Sequence, residues 1–570
     1  MRKRLKKVLG TLLVLSVSSS LVACGGNAGG NASGSAAAPD PVTEEAAAQE
    51  VPEVESAAGE TDVWAKYDPA IEITSVKSID LNMKYPEGED IDNNTWTKHY
   101  EDSLGIQVKY LWASDNQDGT YDQRLNMAIA TGDLPDIIPC NATIFKKLVE
   151  AGIAADLTEV YEEYASPYYK EVSAAFPEAN ESATVDGKLM ALPSIEASAV
   201  ETQILWLRDD WMENLNLEAP ETLDDLVEIM EAFTWDDPDG NGIDDTYGLP
   251  LCNTLTGAGF ADFSGIINAY HGFVNVWMPN EDGELEYSMI QTEVRSALEK
   301  LQELYAAGLI DKEFGVKDAN KLAEDIAKGV YGVNFGANWD GYYPFDGLIN
   351  NDANASWTPY RLVSADGEPA LTSVHWPITT YYVVNKDCEN PEAAVKMMNL
   401  ELATLNDPSM PIPDSDSYRT GPSAEEIWKQ ALLITKPADK DLVNGVELTA
   451  AFETGNGDDL TNPDAKVNFV EAMKWINDRD PAGFGYYVQA HAMKLINDMN
   501  ENGEILLDYQ RGPVTDTQAK LDATLKANML TEFTKIIMGD PIENFDRWVE
   551  SWKAMGGDAI TEEINELYGN

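Results

Sequence analysis

Strand-like and helix-like patterns alternate along most of this chain, and the alternation constrains it most: such faces must be buried against each other in layers. Ile71-Glu72-Ile73-Thr74-Ser75-Val76 and Ile106-Gln107-Val108-Lys109-Tyr110-Leu111 read as strands, with a helix between them over 91–103. Another helix is predicted over 121–130, ended by Thr131-Gly132-Asp133, after which 134–138 turns into a short buried strand. Pro220-Glu221-Thr222 leads into Leu223, Leu226, Val227, Met230 and Phe233 at helical spacing, with Thr222 and Asp225 placed as a capping pair. Val294, Ala297, Leu298, Leu301, Leu304 and Tyr305 form one apolar face that stops at Gly308. The pattern runs for about 500 residues, more than one core usually serves, so the expectation is an α/β protein with two large lobes.

The N-terminus is of a different kind. Arg2, Lys3, Arg4, Lys6 and Lys7 precede a short apolar run from Leu9 to Val17, too brief to span a bilayer, and Leu21-Val22-Ala23-Cys24 closes it. This is the layout of an export signal over 1–23, and a small residue followed by cysteine resembles a bacterial lipobox. Lipidation of Cys24 would hold the protein on the extracellular face of the cell membrane through its acyl chains. Residues 24–63 are mostly Gly, Ala, Ser, Pro and Glu, too poor in apolar surface to offset ordering entropy, and read as a flexible linker. The folded body is expected to start near Trp64.

The net charge is −60, and removal of the five basic signal residues deepens it to −65. Such a field disfavours nucleic acid and other polyanions. Besides Cys24 only Cys140, Cys252 and Cys388 remain, far apart and without metal-type spacing; a disulfide is open to them, but buried free thiols are favoured. With four histidines, a His-rich metal centre is not expected.

Asp237-Pro238-Asp239-Gly240-Asn241-Gly242-Ile243-Asp244-Asp245 is the sharpest chemical motif. Oxygen side chains at positions one, three, five and nine, glycine at six and a carbonyl at seven match the calcium loop of EF-hands. Position twelve is Gly248, so the bidentate glutamate is missing and a structural rather than a switching calcium is expected.

Trp206-Leu207-Arg208-Asp209-Asp210-Trp211, then 219–226, then 237–248, together with 187–193 and the closing 552–561, resemble the family 1 extracellular solute-binding proteins of carbohydrate ABC importers. The branch containing alginate-binding proteins is especially similar, and the likeness runs through most of 68–570. It implies a periplasmic-binding-protein-like fold: lobe 1 from 64–195 and 372–480, lobe 2 from 200–365 and 485–570 with the calcium loop 237–246. Hinge strands would cross near 193–207, 362–380 and 478–487. It also places calcium (Ca2+) on Asp237, Asp239, Asn241, the Ile243 carbonyl and Asp245. The branch usually has a glutamate where this chain has Thr246, which leaves one coordination place in doubt. The implied partners are an oligosaccharide and the permease subunits of an ABC importer, and the implied state is a monomer.

Sugars call for aromatic faces and planar polar groups in a closed cleft. The segment 335–343 carries both, so Trp339 is the first choice for stacking, with Asn338, Asp340 and Tyr342 beside it, then His375 and Trp376. Trp96, Asn141, Glu196, Gln203 and Tyr486 follow, placed only near expected lobe edges. Trp206, Trp211, Trp548 and Trp552 read as structural. A receptor for a peptide or cationic ligand, using Glu196, Asp340 and Asp346, and a sensor lipoprotein are the alternatives. A polysaccharide lyase or hydrolase ranks lower, since no GxSxG, HExxH or GxxxxGK[ST] element is present, and no catalytic residue is assigned.

Overall fold

The structure is a computed structural model and describes residues 61–79, 83–115, 119–195, 199–409, 415–419, 421 and 426–569. Cys24, the signal, most of the linker and Glu196 lie outside the described residues.

The strands, in chain order, are β1 (Ile71–Ile79), β2 (Ile106–Asp115), β3 (Ile137–Cys140), the hairpin β4 (Thr184–Val185) and β5 (Lys188–Leu189), β6 (Leu192–Pro193) and β7 (Ile204–Arg208). They continue with β8 (Trp277–Pro279) and β9 (Leu285–Tyr287), which pair antiparallel, then β10 (Val333–Gly336), β11 (Trp357–Tyr360), β12 (Thr372–Val374), β13 (Tyr381–Val384) and β14 (Ile505–Leu507). The first lobe is built on a five-stranded sheet in the order β2-β1-β3-β13-β6. β1 is parallel to β2 and β3, whereas β13 is antiparallel to β3 and β6.

The helix between β1 and β2 begins at Thr95, four residues later than the sequence predicts. The Asp90 carboxylate accepts the amides of Asp92 and Asn93 and turns the chain, and Asn94 then caps the helix reciprocally with Thr97. On one side of the sheet the helix Glu392–Leu405 is buried at every position from Ala393 to Leu405, the mark of a segment enclosed on all sides.

The second lobe centres on β7, with all five residues buried, flanked antiparallel by β10 and β11. The helix Leu223–Trp235 starts on the predicted Thr222–Asp225 capping box. The helix Thr292–Ala307 ends at Gly308, whose φ of 81° is the left-handed conformation that glycine adopts without penalty. Trp206, Trp211, Trp548 and Trp552 are core residues, as read from their patterns.

The chain passes from the first sheet to the second between β6 and β7, and back between β11 and β13. The stretch expected as a third crossing is not one. Residues 478–487 form a turn between the helices Pro463–Asp478 and Phe484–Glu501, and these pack on each other and on Lys440–Thr454. Leu442, Trp475, Phe484 and Val488 share a core with β7 and β10 neighbours of the second lobe, while Leu432 and Leu433 belong to the first. The third crossing therefore lies near 434–440, and residues 441–480 pack with the second lobe. An apolar turn between two helices gives the same sequence signal as a hinge. β12 and β14 add a parallel pair at the junction, from Thr372↔Ile505 to Val374↔Leu507. Cys140, Cys252 and Cys388 are free thiols. No described helix is long and apolar enough to cross a membrane.

Candidate functional site

The first two crossings meet at a cleft of about 560 Å3. Glu201 and Gln203 come from the first crossing, and Thr372–Pro377 with Thr379 from the second. The far wall is supplied by Thr256, Asp262, Ser264, Asn268, Val274 and Asn275, on and around the short helix Ser264–Ala269. The crossings themselves thus form part of the wall.

Asp262 is 6% exposed and accepts a hydrogen bond from the Ser264 amide at 2.6 Å. Burial pushes its carboxyl up to about 7. Asp340, fully enclosed, is held well above the usual carboxylate range by burial, and the charge of Asp262 adds to the effect. Asn334 on β10 links the two: its Oδ1 accepts from the Ala261 amide at 2.8 Å and its Nδ2 donates to Asp340 Oδ2 at 2.8 Å. Gln203 Oε1 and Asn268 Oδ1 are buried acceptors with no hydrogen-bond partner, and both residues line the cleft. Asn268 spends its amide Nδ2 on the Gly272 carbonyl, so an acceptor is what it leaves over. Buried groups left unpaired are costly, and the cleft is where these can be satisfied.

Of the residues singled out from sequence, the cleft brings together Gln203, His375 and Trp376. His375 is well exposed, with Nδ1 3.5 Å from Asp508 Oδ2. Trp376 is 9% exposed and packs on Phe176 and the first-lobe core, and its indole N–H is a buried donor without a hydrogen-bond partner. Trp339 is half-buried over Gly259, where any Cβ would stand 2.2 Å from its ring, and it is not in the cleft wall. The loop beneath it connects to the wall through Thr256 and Asp262. Asn338 is a bracket, donating to the Val200 carbonyl at 2.8 Å and accepting from Gln489 at 2.9 Å. Tyr342, 36% exposed, meets Tyr486 edge-on at 5.1 Å.

Two expectations need correction. Trp96 is wholly buried in the first-lobe core and donates its indole N–H to the Tyr418 carbonyl, so no ring face is free. Asn141 does sit at the end of β3, but it caps the helix Ala142–Glu150 and donates to Asp122 at 2.7 Å. Sequence reading missed Asp262, Ser264, Asn268 and Asn275. They are ordinary polar residues in an irregular stretch, and only the fold brings them opposite residues 372–379.

The acidic loop at 237–245 is a separate feature. Asp237 accepts from the Gly242 amide at 3.1 Å, Asn241 Oδ1 from the Ile243 amide at 2.7 Å, and Asn241 Nδ2 donates to Asp239 at 2.7 Å and to Asp245 at 3.3 Å. Burial raises the Asp239 carboxyl, and its neighbours Asp237 and Asp245 raise it further. Thr246 turns away and donates to the Phe233 carbonyl at 2.8 Å. Among the described residues no three His, Cys, Asp or Glu side chains are grouped as a metal cage.

Comparison with known proteins completes the picture. Lipoprotein LipO of Bacillus subtilis (strain 168) is 26% identical over 502 residues, which span 84% of this chain and 89% of LipO. The polygalacturonan/rhamnogalacturonan-binding protein YtcQ of the same organism is 28% identical over 243 residues, 42% of this chain and 46% of YtcQ. The solved structure of the Streptococcus pneumoniae ABC-transporter substrate-binding protein FusA with kestose matches with a TM-score of 0.57 at 17% identity, over 87% of this chain and 99% of FusA. An EF-hand mutant of FusA with fructo-nystose matches with a TM-score of 0.55 at 18% identity, over 88% of this chain and 98% of FusA. These likenesses establish the two-lobed binding-protein fold. The family model for bacterial extracellular solute-binding proteins matches residues 89–400, more than half of the chain, and this protein belongs to that family of binding proteins.

Proposed function

We propose that this protein captures an oligosaccharide in the hinge cleft and delivers it to the permease subunits of an ABC importer, working as a monomer on the extracellular face of the membrane and anchored there by lipid on Cys24. The observation that carries the reading is the pair of buried, unpaired acceptors Gln203 Oε1 and Asn268 Oδ1 in a cleft framed by two interlobe crossings. A ligand rich in hydroxyls satisfies both, and it favours closure only to the extent that it binds the closed form better. The names of YtcQ and FusA, one a pectic-polysaccharide binder and the other a fructooligosaccharide binder, support a carbohydrate ligand. LipO, a lipoprotein, supports the anchor.

Trp339, which lies over Gly259, and the pair Tyr342 and Tyr486 extend the site along the second lobe, with Asn338 and Asp340 holding the segment that carries them. The loop 237–245 takes a structural calcium through Asp237, Asp239, Asn241, the Ile243 carbonyl and Asp245. The crowding of Asp239 by Asp237 and Asp245 supports this, because a cation relieves it. The donor chemistry fits calcium once Asp237 and Asn241 release the backbone amides they now accept from. Thr246 is committed to Phe233 and takes no part.

A cationic ligand is the second reading, favoured by Glu201 and Asp262 in the wall. The thermal midpoint of the purified protein against saccharides, peptides and amines, with calcium present, separates the two. A ligand at about 100 times its dissociation constant adds roughly 2.7 kcal/mol. Shifts with saccharides alone are expected; shifts with peptides or amines alone would replace the sugar assignment.

A further inference from the structure

We infer that the cleft selects an uncharged oligosaccharide over one bearing uronate carboxylates, and that Asp262 is the residue that makes the distinction. The inference rests on the carbohydrate reading above and narrows it.

The wall is one-sided in charge. Asp262 offers a carboxylate, and the buried groups left without partners are the amide oxygens of Gln203 and Asn268, the Ser264 hydroxyl and the Trp376 indole N–H. Among the described residues lining the cleft none is Arg or Lys, and the imidazole of His375 already faces the Asp508 carboxylate. Sugar hydroxyls, which donate and accept, can satisfy all four. A uronate carboxylate brings two more acceptors and a like charge into a partly enclosed space without a cation to pair with.

Asp262 is placed to enforce the rule. Its carboxyl is held in the wall by the Ser264 amide, and the backbone just before it is fixed by the bond from the Ala261 amide to Asn334. A repulsive element of this kind discriminates without contributing to the affinity for the correct ligand. A hydroxyl-only ligand leaves Asp262 free to accept or, when protonated, to donate, and so costs nothing in charge.

The test is isothermal titration of the purified protein at pH 8 with two sets of oligomers of equal length: neutral gluco-, fructo-, galacto- and xylo-oligosaccharides, and oligogalacturonides with alginate oligomers. At least one neutral oligomer is expected to bind at least about 100-fold more tightly than any uronate oligomer. In Asp262→Asn, which keeps the size and the acceptor while removing the charge, the gap is expected to close by about tenfold or more, chiefly through a gain in uronate binding. If that variant does not fold, Asn268→Asp serves instead: it adds a carboxylate to the same wall and is expected to widen the gap. A uronate oligomer binding as tightly as the neutral ones overturns the inference and leaves the carbohydrate reading intact. An unchanged ratio in Asp262→Asn removes Asp262 from the argument. A response to nothing in either set overturns both readings.

Discussion

The loop at 237–245 and the cleft floor at Asp262 and Asp340 are both rich in aspartate, yet they treat it in opposite ways. In the loop the carboxylates are exposed, lie within a few residues of each other, and accept amide hydrogens from their own turn. At the floor the two are buried, come from segments nearly eighty residues apart in sequence, and hold their protons to higher pH because water is excluded. A crowded exposed set of acids invites a cation, whereas burial makes each acid keep its proton longer. Net charge alone does not distinguish these fates; enclosure does.

The contrast is sharpest in pH dependence. Folded Asp262 keeps its proton up to about 7, against an ordinary value of 3.8, so between those values the native state holds a proton that the unfolded chain has lost. Stability therefore falls as pH rises from about 4 to about 7 and levels off above, by an amount of order 4 kcal/mol at most. Chemical denaturation across that range is expected to show the slope in the wild type and a shallower one in Asp262→Asn; parallel slopes would remove the distinction between floor and loop. Next in size is chelation. Stripping calcium is expected to lower the thermal midpoint by an amount matching roughly 2.7 kcal/mol at a hundredfold excess over the dissociation constant. Asp239→Ala should abolish this response and leave the pH slope of the floor untouched.

At the floor, Asp340→Ala strands the Asn334 amide N–H, and the variant should lose about 2 kcal/mol in urea unfolding, while Asp340→Asn should lose less because an acceptor remains. The smallest change is Thr246→Ala, which removes the hydrogen bond to the Phe233 carbonyl. It is expected to cost about 1 kcal/mol without altering the calcium response. A calcium response that vanished with Thr246 would show that the loop and the helix before it act together.

Features fixed by neighbours in sequence were legible before the structure. The Thr222–Asp225 cap, the stop at Gly308, the strands opening at Ile71 and Ile106 and the acidic loop all depend on spacing of a few residues. Asn94 shows the limit, since Asp90 diverted the chain and delayed a helix that hydrophobic spacing alone would have started earlier. The cleft was legible only in part. Gln203, His375 and Trp376 lie next to crossings, and position suggested them; Asp262 and Asn268 carry no local pattern and matter because of what faces them. Trp96 misled because an aromatic near a lobe edge and an aromatic in a core have the same sequence signature. The third crossing misled for the same reason, an apolar run with Pro and Gly serving as a helix turn.

The order of strands in the first sheet bears on how a chain threaded out of a cell acquires its shape. β13 lies between β3 and β6, so the sheet of the first lobe stays divided until about residue 384 has emerged, and β14 closes the junction only after residue 507. The part of the second lobe from β7 to β11 is thus delivered before the first sheet can be completed. Pairings so distant in sequence form slowly. Until those residues arrive the first sheet keeps open strand edges, the unpaired surfaces that a finished sheet hides.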